Sequence, residues 1–171
     1  HLRAPAGAGK TFVALHWVLD ALQAEPSARA LFVARNEALA CFAASWLGKR
    51  VRGGRRRREL LARLHLLYEP FDEGVREVAV RDGCVVMKAR DAAAGGEAVA
   101  APAYALVVVD EAHHLYSDPV ARSLVEGQVT AGCTRRLLLS DISQSLGRGV
   151  AYPEGLREVV LSEVVRCSKR I

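Results

Sequence analysis

The sequence of 171 residues predicts an α/β fold in which a mostly parallel β-sheet is flanked by helices. Short apolar runs typical of buried strands, such as 29–34, 105–109 and 136–140, alternate with segments whose apolar residues recur at helical spacing. Polar residues follow these runs, as expected at the carboxyl ends of parallel strands, where such sheets form ligand sites. Because 51% of the residues are hydrophobic, the chain can bury a substantial core, and we expect one domain over 1–171.

The N-terminal half predicts a repeated step from strand to helix. After a loop of small residues at 4–11, apolar residues recur at helical spacing until Glu25-Pro26, namely Phe12, Leu15, Val18, Leu19 and Leu22. The run at 29–34 predicts a buried strand, and Asn36 is then placed to cap a helix that extends to about Gly48. A further helix is expected over 56–68, ended by Pro70, with an inner face formed by Leu60, Leu61, Leu64 and Leu67.

The C-terminal half predicts a hairpin, a loop and three strands. Two β-prone runs, 77–80 and 84–88, flank Asp82-Gly83, and an Asp-Gly pair in this position favours a hairpin. The Ala/Gly-rich segment 91–102 has no periodicity and is expected to be a surface loop or variable insertion. Strands are expected over 105–109, over 136–140 ending at Asp141, and over 157–161 ending near Glu163.

The net charge of +5 is concentrated in one place. Arg52 and the run 55–58 supply five positive charges within seven residues, and the rest of the chain is balanced. This arginine run is compatible with a solvated loop and helix start, with a patch that contacts phosphates, or with a nuclear-targeting signal. The sequence does not choose among these readings.

Cysteine spacing and hydropathy narrow the class of protein. The four cysteines, at positions 41, 84, 133 and 167, are widely separated, so neither a zinc knuckle nor a disulfide framework is indicated. We expect reduced and mostly buried thiols in an intracellular protein, nuclear or cytoplasmic. No apolar run approaches the roughly 20 residues that span a bilayer, and no signal peptide is evident, so no membrane segment is expected.

Two motifs far apart in the chain predict a nucleoside triphosphate site. Residues 4–11 match a P-loop, whose backbone N–H groups wrap the phosphates while Lys10 reaches the β/γ oxygens and the Thr11 hydroxyl binds Mg²⁺. An apolar strand then ends in Asp110, expected to hold the metal, and Glu111, expected to act on the attacking water. A Gly/Ala-rich turn and an acidic helix start are the simpler alternatives. The expected phosphate-binding residues are Ala6, Gly7, Ala8, Gly9, Lys10 and Thr11.

Taken together, these motifs resemble the first RecA-like motor domain of superfamily 1 helicases of the UvrD/Rep-like kind. They are also similar to the helicase-like domains of the Schlafen group. The resemblance spans almost the whole chain: 4–11 resembles the family's P-loop, Val-Val-Val-Asp-Glu-Ala-His-His at 107–114 its motif II, 137–145 its motif III, and 161–171 its motif IV. It implies a RecA-like P-loop NTPase that binds ATP and Mg²⁺, hydrolyses ATP, and works on single-stranded DNA or RNA with a second RecA-like domain.

The resemblance also implies roles for single residues. Gln144 would sense the γ-phosphate, and Arg166 would stabilise charge in the transition state as an arginine finger does. Arg35 and Asn36 match the region that touches single-stranded nucleic acid. An exposed loop residue is the alternative for Gln144, a surface ion pair with Glu163 for Arg166, and a helix cap for Asn36.

Adjacent histidines after the carboxylates raise the question of a metal site. A helical zinc site favours His-x-x-x-His, and neighbouring rings on a helix are expected to diverge, so we do not expect His113 and His114 to bind a metal. In the family, the fourth position of motif II hydrogen-bonds near motif III, which is the role expected of His113. Asp-Glu-Ala-His also resembles the DEAH class of superfamily 2, but the Ser-Ala-Thr motif of that class is absent, which favours superfamily 1.

Departures from the family pattern concern the two ends of the sequence. Only residues 1–3 precede the P-loop, so the first strand is expected to be truncated, and a second motor domain would follow residue 171. We therefore expect a fragment of a larger protein, inactive or weakly active alone.

Three other functions fit parts of the pattern. The main alternative is a P-loop switch or assembly module without helicase activity, which single-stranded nucleic acid would not stimulate. A degenerate nucleic-acid binder anchored by the arginine run 55–58 and a metabolic kinase are weaker, because they leave either the intact P-loop or Gln144 and Arg166 unexplained.

Overall fold

A computed structural model describes residues 1–90, 102–130, 133, 135–141, 143 and 149–161. Within them the chain forms five α-helices and eight strands. The helices are α1 (Lys10–Ala24), α2 (Glu37–Arg50), α3 (Gly54–Leu61), α4 (Ala112–Leu115) and α5 (Pro119–Glu126). The strands are β1 (Leu2–Ala4), β2 (Ala30–Ala34), β3 (Leu64–Tyr68), β4 (Arg76–Arg81), β5 (Cys84–Ala89), β6 (Leu106–Val109), β7 (Arg136–Asp141) and β8 (Val159–Val160).

The strands form one mostly parallel sheet in the order β5-β4-β3-β2-β6-β7-β1-β8. All neighbouring pairs from β3 to β8 are parallel, whereas β4 runs antiparallel to both β3 and β5. Since parallel neighbours need crossover connections, helices cover the faces of the sheet. The predicted α/β class with a mostly parallel sheet is confirmed.

Two apolar layers hold the helices on opposite faces of the sheet. Side chains alternate along each strand, so Phe32 and Val108 pack toward α1, α2 and α3, whereas Leu31 and Val107 pack toward α4 and α5. Strands β2 and β6 are buried along their whole length. Each large apolar side chain buried in this way contributes roughly 1.5–3 kcal/mol to stability.

Several predicted elements are confirmed with small shifts at their ends. Helix α1 stops at Ala24, just before Glu25-Pro26, and the Asn36 side chain caps α2 by accepting a hydrogen bond from the Leu39 N–H. The Asp82-Gly83 turn joins β4 and β5 as a hairpin. Strands β6 and β7 lie where the apolar runs predict them.

The helix predicted over 56–68 is wrong in its second half. Helix α3 ends at Leu61, and 64–68 form β3, which pairs in parallel with β2 in the register Ala30 to Leu64. The Arg63 guanidinium holds the intervening turn by donating to the carbonyls of Glu25 and Ala28. The run Leu-His-Leu-Leu-Tyr suits a strand buried on both faces, and this tertiary pairing overrides the helical spacing of the leucines.

Other sequence expectations need correction. Phe12, one of the apolar residues at helical spacing in α1, is 49% exposed and so lies outside the core. Cys41 and Cys84 are exposed and Cys133 is half-buried, so the thiols are free but not mostly buried; Cys167 lies outside the described residues. Residues at the N-terminus do form a first strand, β1, although it has three residues, and the predicted strand 157–161 is reduced to β8.

Two further expectations concern a loop and membrane segments. The predicted loop 91–102 lies outside the described residues, except for Pro102. Among the described helices, none combines the length and the apolar character that crossing a membrane requires.

A buried polar pair gives the fold a testable pH dependence. The His65 Nδ1 atom lies 2.9 Å from the Tyr104 hydroxyl, and both side chains are buried. Burial, helped by the charges of Arg90 and Arg29, lowers the pKa of His65 to about 4, from 6.5 in an unfolded chain. Between these values the unfolded chain binds a proton that the folded chain does not.

We therefore expect the contribution of His65 to the free energy of unfolding to be complete above pH 6.5 and to fall by up to about 3 kcal/mol as the pH drops to 4. Urea denaturation at several pH values measures this loss. The variant His65→Leu/Tyr104→Phe removes both polar groups and should flatten the slope, whereas His16→Gln, at an exposed position, should not. Equal slopes in the wild type and the double variant would contradict this account.

Candidate functional site

The loop between β1 and α1 is shaped to leave backbone N–H groups uncovered. Gly7 and Gly9 have φ angles of 80° and 84°, a region that favours glycine, and the Ala8 N–H donates to the Pro5 carbonyl to form a tight turn. Helix α1 begins directly after Gly9, with no side-chain cap and no acidic residue in its first turn. Its first N–H groups therefore present a positive helix end that suits an anion.

Lys10 is folded back onto this loop. Its Nζ atom donates to the Ala4 carbonyl at 2.8 Å and to the Pro5 carbonyl at 3.0 Å, and the residue is only 8% exposed. A buried ammonium needs such partners because its desolvation is costly. The charge of Lys10 is thus held at the mouth of the loop.

A hydrogen bond joins the two sequence motifs. The Thr11 hydroxyl donates to Asp110 Oδ2 at 2.7 Å, although 99 positions separate the two residues, and the Glu111 N–H donates to Asp110 Oδ1 at 2.9 Å. Burial raises the pKa of Asp110, while these two hydrogen bonds and the nearby Lys10 charge oppose the rise. The hydroxyl and the carboxylate together offer the hard oxygen ligands that Mg²⁺ prefers.

The strand order explains why these residues meet. Strand β7 lies between β6 and β1, so the ends of three parallel strands place Asp110, Asp141 and the P-loop at one edge. From β1 the chain crosses to β2, which lies on one side of β1 in the strand order. After β7 it reaches β8, which lies on the other side of β1. Such a reversal between β7 and β1 is the place where open α/β sheets bind ligands.

A third polar group, the Asp141 carboxylate at the end of β7, also interacts electrostatically with Lys10. Asp141 is 2% exposed and accepts hydrogen bonds from the Ser143 N–H at 2.9 Å and the Ser143 hydroxyl at 2.6 Å. Although burial favours the neutral acid, the Ser143 hydrogen bonds and the Lys10 charge outweigh it, and the pKa of Asp141 lies below its usual value. The sequence marked Asp141 only as a polar strand end and missed Ser143, whose Asp-x-Ser spacing is a common turn signal.

Glu111 differs from Asp110 in both exposure and backbone. Its side chain is 35% exposed, and its φ of 52° lies in the left-handed region, where β6 turns sharply into α4. Glu111 Oε2 lies 3.4 Å from His113 Nε2. One carboxylate of the pair is therefore sealed in the core while the other can reach solvent.

The buried His113 connects Glu111 to β7. The Asp141 N–H donates to His113 Nδ1 at 3.3 Å, which makes Nδ1 an acceptor and assigns the proton of a neutral ring to Nε2, facing Glu111. The expected hydrogen bond between His113 and the 137–145 segment is thus confirmed. His113 acts as a bridge that orients the Glu111 carboxylate.

The expectation that the two adjacent histidine rings diverge is wrong. The ring centroids of His113 and His114 lie 4.2 Å apart, and potential ligand atoms of these rings and of Glu111 all lie within 4.8 Å of one another. His113 Nδ1 already accepts a hydrogen bond from the Asp141 N–H, however, and Nε2 lies 3.4 Å from Glu111 Oε2, so a metal would have to displace one of these contacts. The grouping is better explained as a hydrogen-bonded set than as a metal centre.

Two of the remaining predicted site residues, Arg35 and Asn36, lie at this edge of the sheet. Arg35 is exposed after β2, and its Nη1 atom lies 3.4 Å from His114 Nε2. The side chain of Asn36 caps α2, which is the alternative to a contact with nucleic acid that the sequence offers for this residue. A cavity of about 220 Å³ opens beside Arg35, His114 and Asp118. Gln144 and Arg166 lie outside the described residues.

No protein-family model matches the chain, and no curated protein matches it at a significant level.

The backbone at Glu111 gives a prediction about stability. A non-glycine residue in the left-handed region costs about 1–2 kcal/mol, so Glu111→Gly should stabilise the fold by about 0.5–1 kcal/mol after allowing for the greater chain entropy of glycine. Urea denaturation measures the change. Glu111→Gln keeps the Cβ atom and should leave stability within about 0.5 kcal/mol; destabilisation by the glycine variant would show that the His113 contact outweighs the strain.

Proposed function

We propose that the chain is a Mg²⁺-dependent ATP-binding and ATP-hydrolysing domain with a RecA-like P-loop NTPase fold. The observation that carries the proposal is the Thr11 to Asp110 hydrogen bond, because it joins the P-loop to the acidic motif at one partly buried point. A Gly/Ala-rich turn without function would need neither a buried lysine above it nor a carboxylate behind it.

The P-loop would bind the phosphates. Backbone N–H groups in the first turn of α1 face an incoming anion, and Gly7 and Gly9 let the backbone approach closely. Lys10 would exchange its two carbonyl partners for phosphate oxygens, which replaces neutral acceptors with charged ones and strengthens its hydrogen bonds.

Thr11 and Asp110 would hold the Mg²⁺ ion through their oxygens. When bound, the ion would neutralise charge on the β- and γ-phosphates. Asp110 suits this role because its burial keeps competing water away, and its partners keep the carboxylate in place.

Glu111 would orient the attacking water and accept its proton. Its partial exposure allows water to approach, and the Nε2 atom of His113 lies 3.4 Å from one carboxylate oxygen. His113 is a positioning residue, since it touches Glu111 and the backbone of Asp141. A shift of the Asp141 backbone at the end of β7 would therefore be passed to the Glu111 carboxylate through the His113 ring.

The motor role depends on the family resemblance. Under it, the domain belongs to a superfamily 1 helicase-like protein, works with a second RecA-like domain on single-stranded DNA or RNA, and uses Gln144 and Arg166 at the γ-phosphate. Arg35 supports a contact with nucleic acid, because it is exposed at the same edge as Glu111. Asn36 supports it less, since its side chain already caps α2.

Lys10→Ala should weaken binding of Mg-ATP by about 100-fold or more, because the variant loses a charge-assisted contact to phosphate. Isothermal titration calorimetry measures the affinity. Lys88→Ala, at an exposed position on β5, is the matched control and should bind normally. Unchanged affinity in a folded Lys10→Ala variant would refute the nucleotide site.

Glu111→Gln should leave the affinity for Mg-ATP within about twofold and lower ATP turnover in the full-length protein by about 10²-fold or more, since an amide cannot accept the proton. Phosphate release measures turnover. Glu154→Gln, at an exposed position, controls for the change of charge. Full turnover by Glu111→Gln would remove this residue from the mechanism while leaving the binding site in place.

A further inference from the structure

Seven cationic residues occupy the ten positions 49–58 and form what we call the basic cluster. No acidic residue interrupts them, and together they account for more than the whole net charge of +5. Helix α2 ends at Arg50 and α3 begins at Gly54, so the cluster covers the end of one helix and the start of the next. Its members are Lys49, Arg50, Arg52, Arg55, Arg56, Arg57 and Arg58.

The basic cluster lies at the opposite edge of the sheet from the P-loop. Helix α2 starts at the carboxyl end of β2 and runs back, and α3 leads into the beginning of β3. The Arg57 Nη2 atom donates to the Gly83 carbonyl at 3.4 Å, in the turn between β4 and β5. The cluster is therefore remote from Lys10 and Asp110 and cannot serve the same phosphate.

The charges of the cluster are poorly neutralised within the chain. The first turn of α3 has no acidic residue and no side-chain cap, so arginines crowd the positive end of a helix dipole. Arg55 pairs with Glu59 at 2.7 Å, whereas the exposed guanidinium groups of Arg52, Arg56 and Arg58 make no hydrogen bond or ion pair to any part of the chain that the structure describes. This repulsion would be relieved by an anionic partner.

An aromatic strip adjoins the cluster along the groove between α1 and α2. The Arg50 guanidinium stacks 3.4 Å from the centroid of the Trp46 ring, and the rings of His16 and Phe12 lie 5.0 Å and 6.0 Å from Trp46. Phe42 lies 5.9 Å from Phe12, and these two phenylalanines are 43% and 49% exposed. Trp46 itself is only 8% exposed, so Phe12 and Phe42, nearer the starts of α1 and α2, are the rings open to a base. Exposed rings on a surface that continues into arginines suit single-stranded nucleic acid, with bases on the rings and phosphates on the cations.

We propose that single-stranded nucleic acid binds on this surface, with its phosphates at the basic cluster and its bases against the aromatic strip. The basic cluster is distinct from Arg35 and Asn36 at the P-loop edge, whereas the aromatic strip runs from the cluster toward the first turn of α1, which contains Phe12. Binding at the cluster requires no nucleotide in the P-loop, so it can be separated from the proposed ATPase activity. Six of the seven cations are arginines, whose planar forks match phosphodiesters. A membrane is a poorer partner, because Leu60 and Leu61 of α3 are buried and leave this helix without an apolar face to insert.

The test measures binding of a fluorescein-labelled oligothymidylate of about 20 nucleotides by anisotropy, without ATP, over a series of salt concentrations. Arg56→Gln/Arg58→Gln should weaken binding by about 10-fold at moderate salt and lower the slope of log affinity against log salt by about 1.4, because about 0.7 counterions are released for each contact to single-stranded nucleic acid. The matched control, Arg122→Gln/Arg157→Gln, removes two charges elsewhere and should keep the wild-type slope.

Two further measurements separate the parts of the proposal. Phe42→Ala should weaken binding several-fold with an unchanged salt slope, because stacking releases no counterions. Arg56→Gln/Arg58→Gln should bind Mg-ATP as the wild type does, which keeps this result separate from any failure of the ATP site. Circular dichroism melting confirms that each variant is folded.

Equal loss of affinity in the cluster variant and its control would overturn the proposal, because it would indicate a diffuse charge effect. Binding of the wild type to vesicles of phosphatidylserine but not to the oligonucleotide would also overturn it, in favour of a membrane surface. Retention of wild-type affinity and slope by Arg56→Gln/Arg58→Gln would exclude the cluster as the contact.

Discussion

A carboxylate buried at the end of a buried strand organises the candidate site. Strand β6 is covered on both faces, so Asp110 emerges from it with almost no access to water. An isolated charge in such a place is costly, and the surrounding chain offsets the cost with the Thr11 hydroxyl, the Glu111 N–H and the Lys10 charge. Thr11 and Lys10 come from the start of α1 and the Glu111 N–H from the turn after β6, so one acidic side chain ties the P-loop to the end of β6.

The parallel arrangement supplies the second constraint. Strand β7 lies between β6 and β1, so a residue at its carboxyl end is adjacent to both the acidic motif and the P-loop. Asp141 occupies this end of β7, and its N–H donates to the His113 ring. The apolar layers on the two faces fix the strands and leave the edge as the place where polar groups gather. The basic cluster lies at the other edge, where the helices return, so two differently charged surfaces lie at opposite ends of the same sheet.

Much of this arrangement could be predicted from local sequence patterns. The apolar runs of β2, β6 and β7 and the cap at Asn36 are short-range signals, and the pairing of the P-loop with the acidic strand end follows from the edge rule for parallel sheets. The boundary between α3 and β3 could not be predicted, because Leu60, Leu61, Leu64 and Leu67 fit a helical face and the choice is made by pairing with β2. The proximity of the histidine rings and the exposure of Phe12 likewise depend on neighbours distant in the chain.

The left-handed turn at Glu111 bears on how sequences of this kind can be read. Glycine or asparagine would adopt the backbone of the turn from β6 into α4 at lower cost, so the proposed role of Glu111 on the attacking water would be kept at the expense of backbone strain. A related chain that had given up hydrolysis would be released from that compromise and would drift toward the residues the backbone prefers. Under the proposed function, the identity of this single residue would then distinguish chains that hydrolyse ATP from chains that share the fold but have lost hydrolysis.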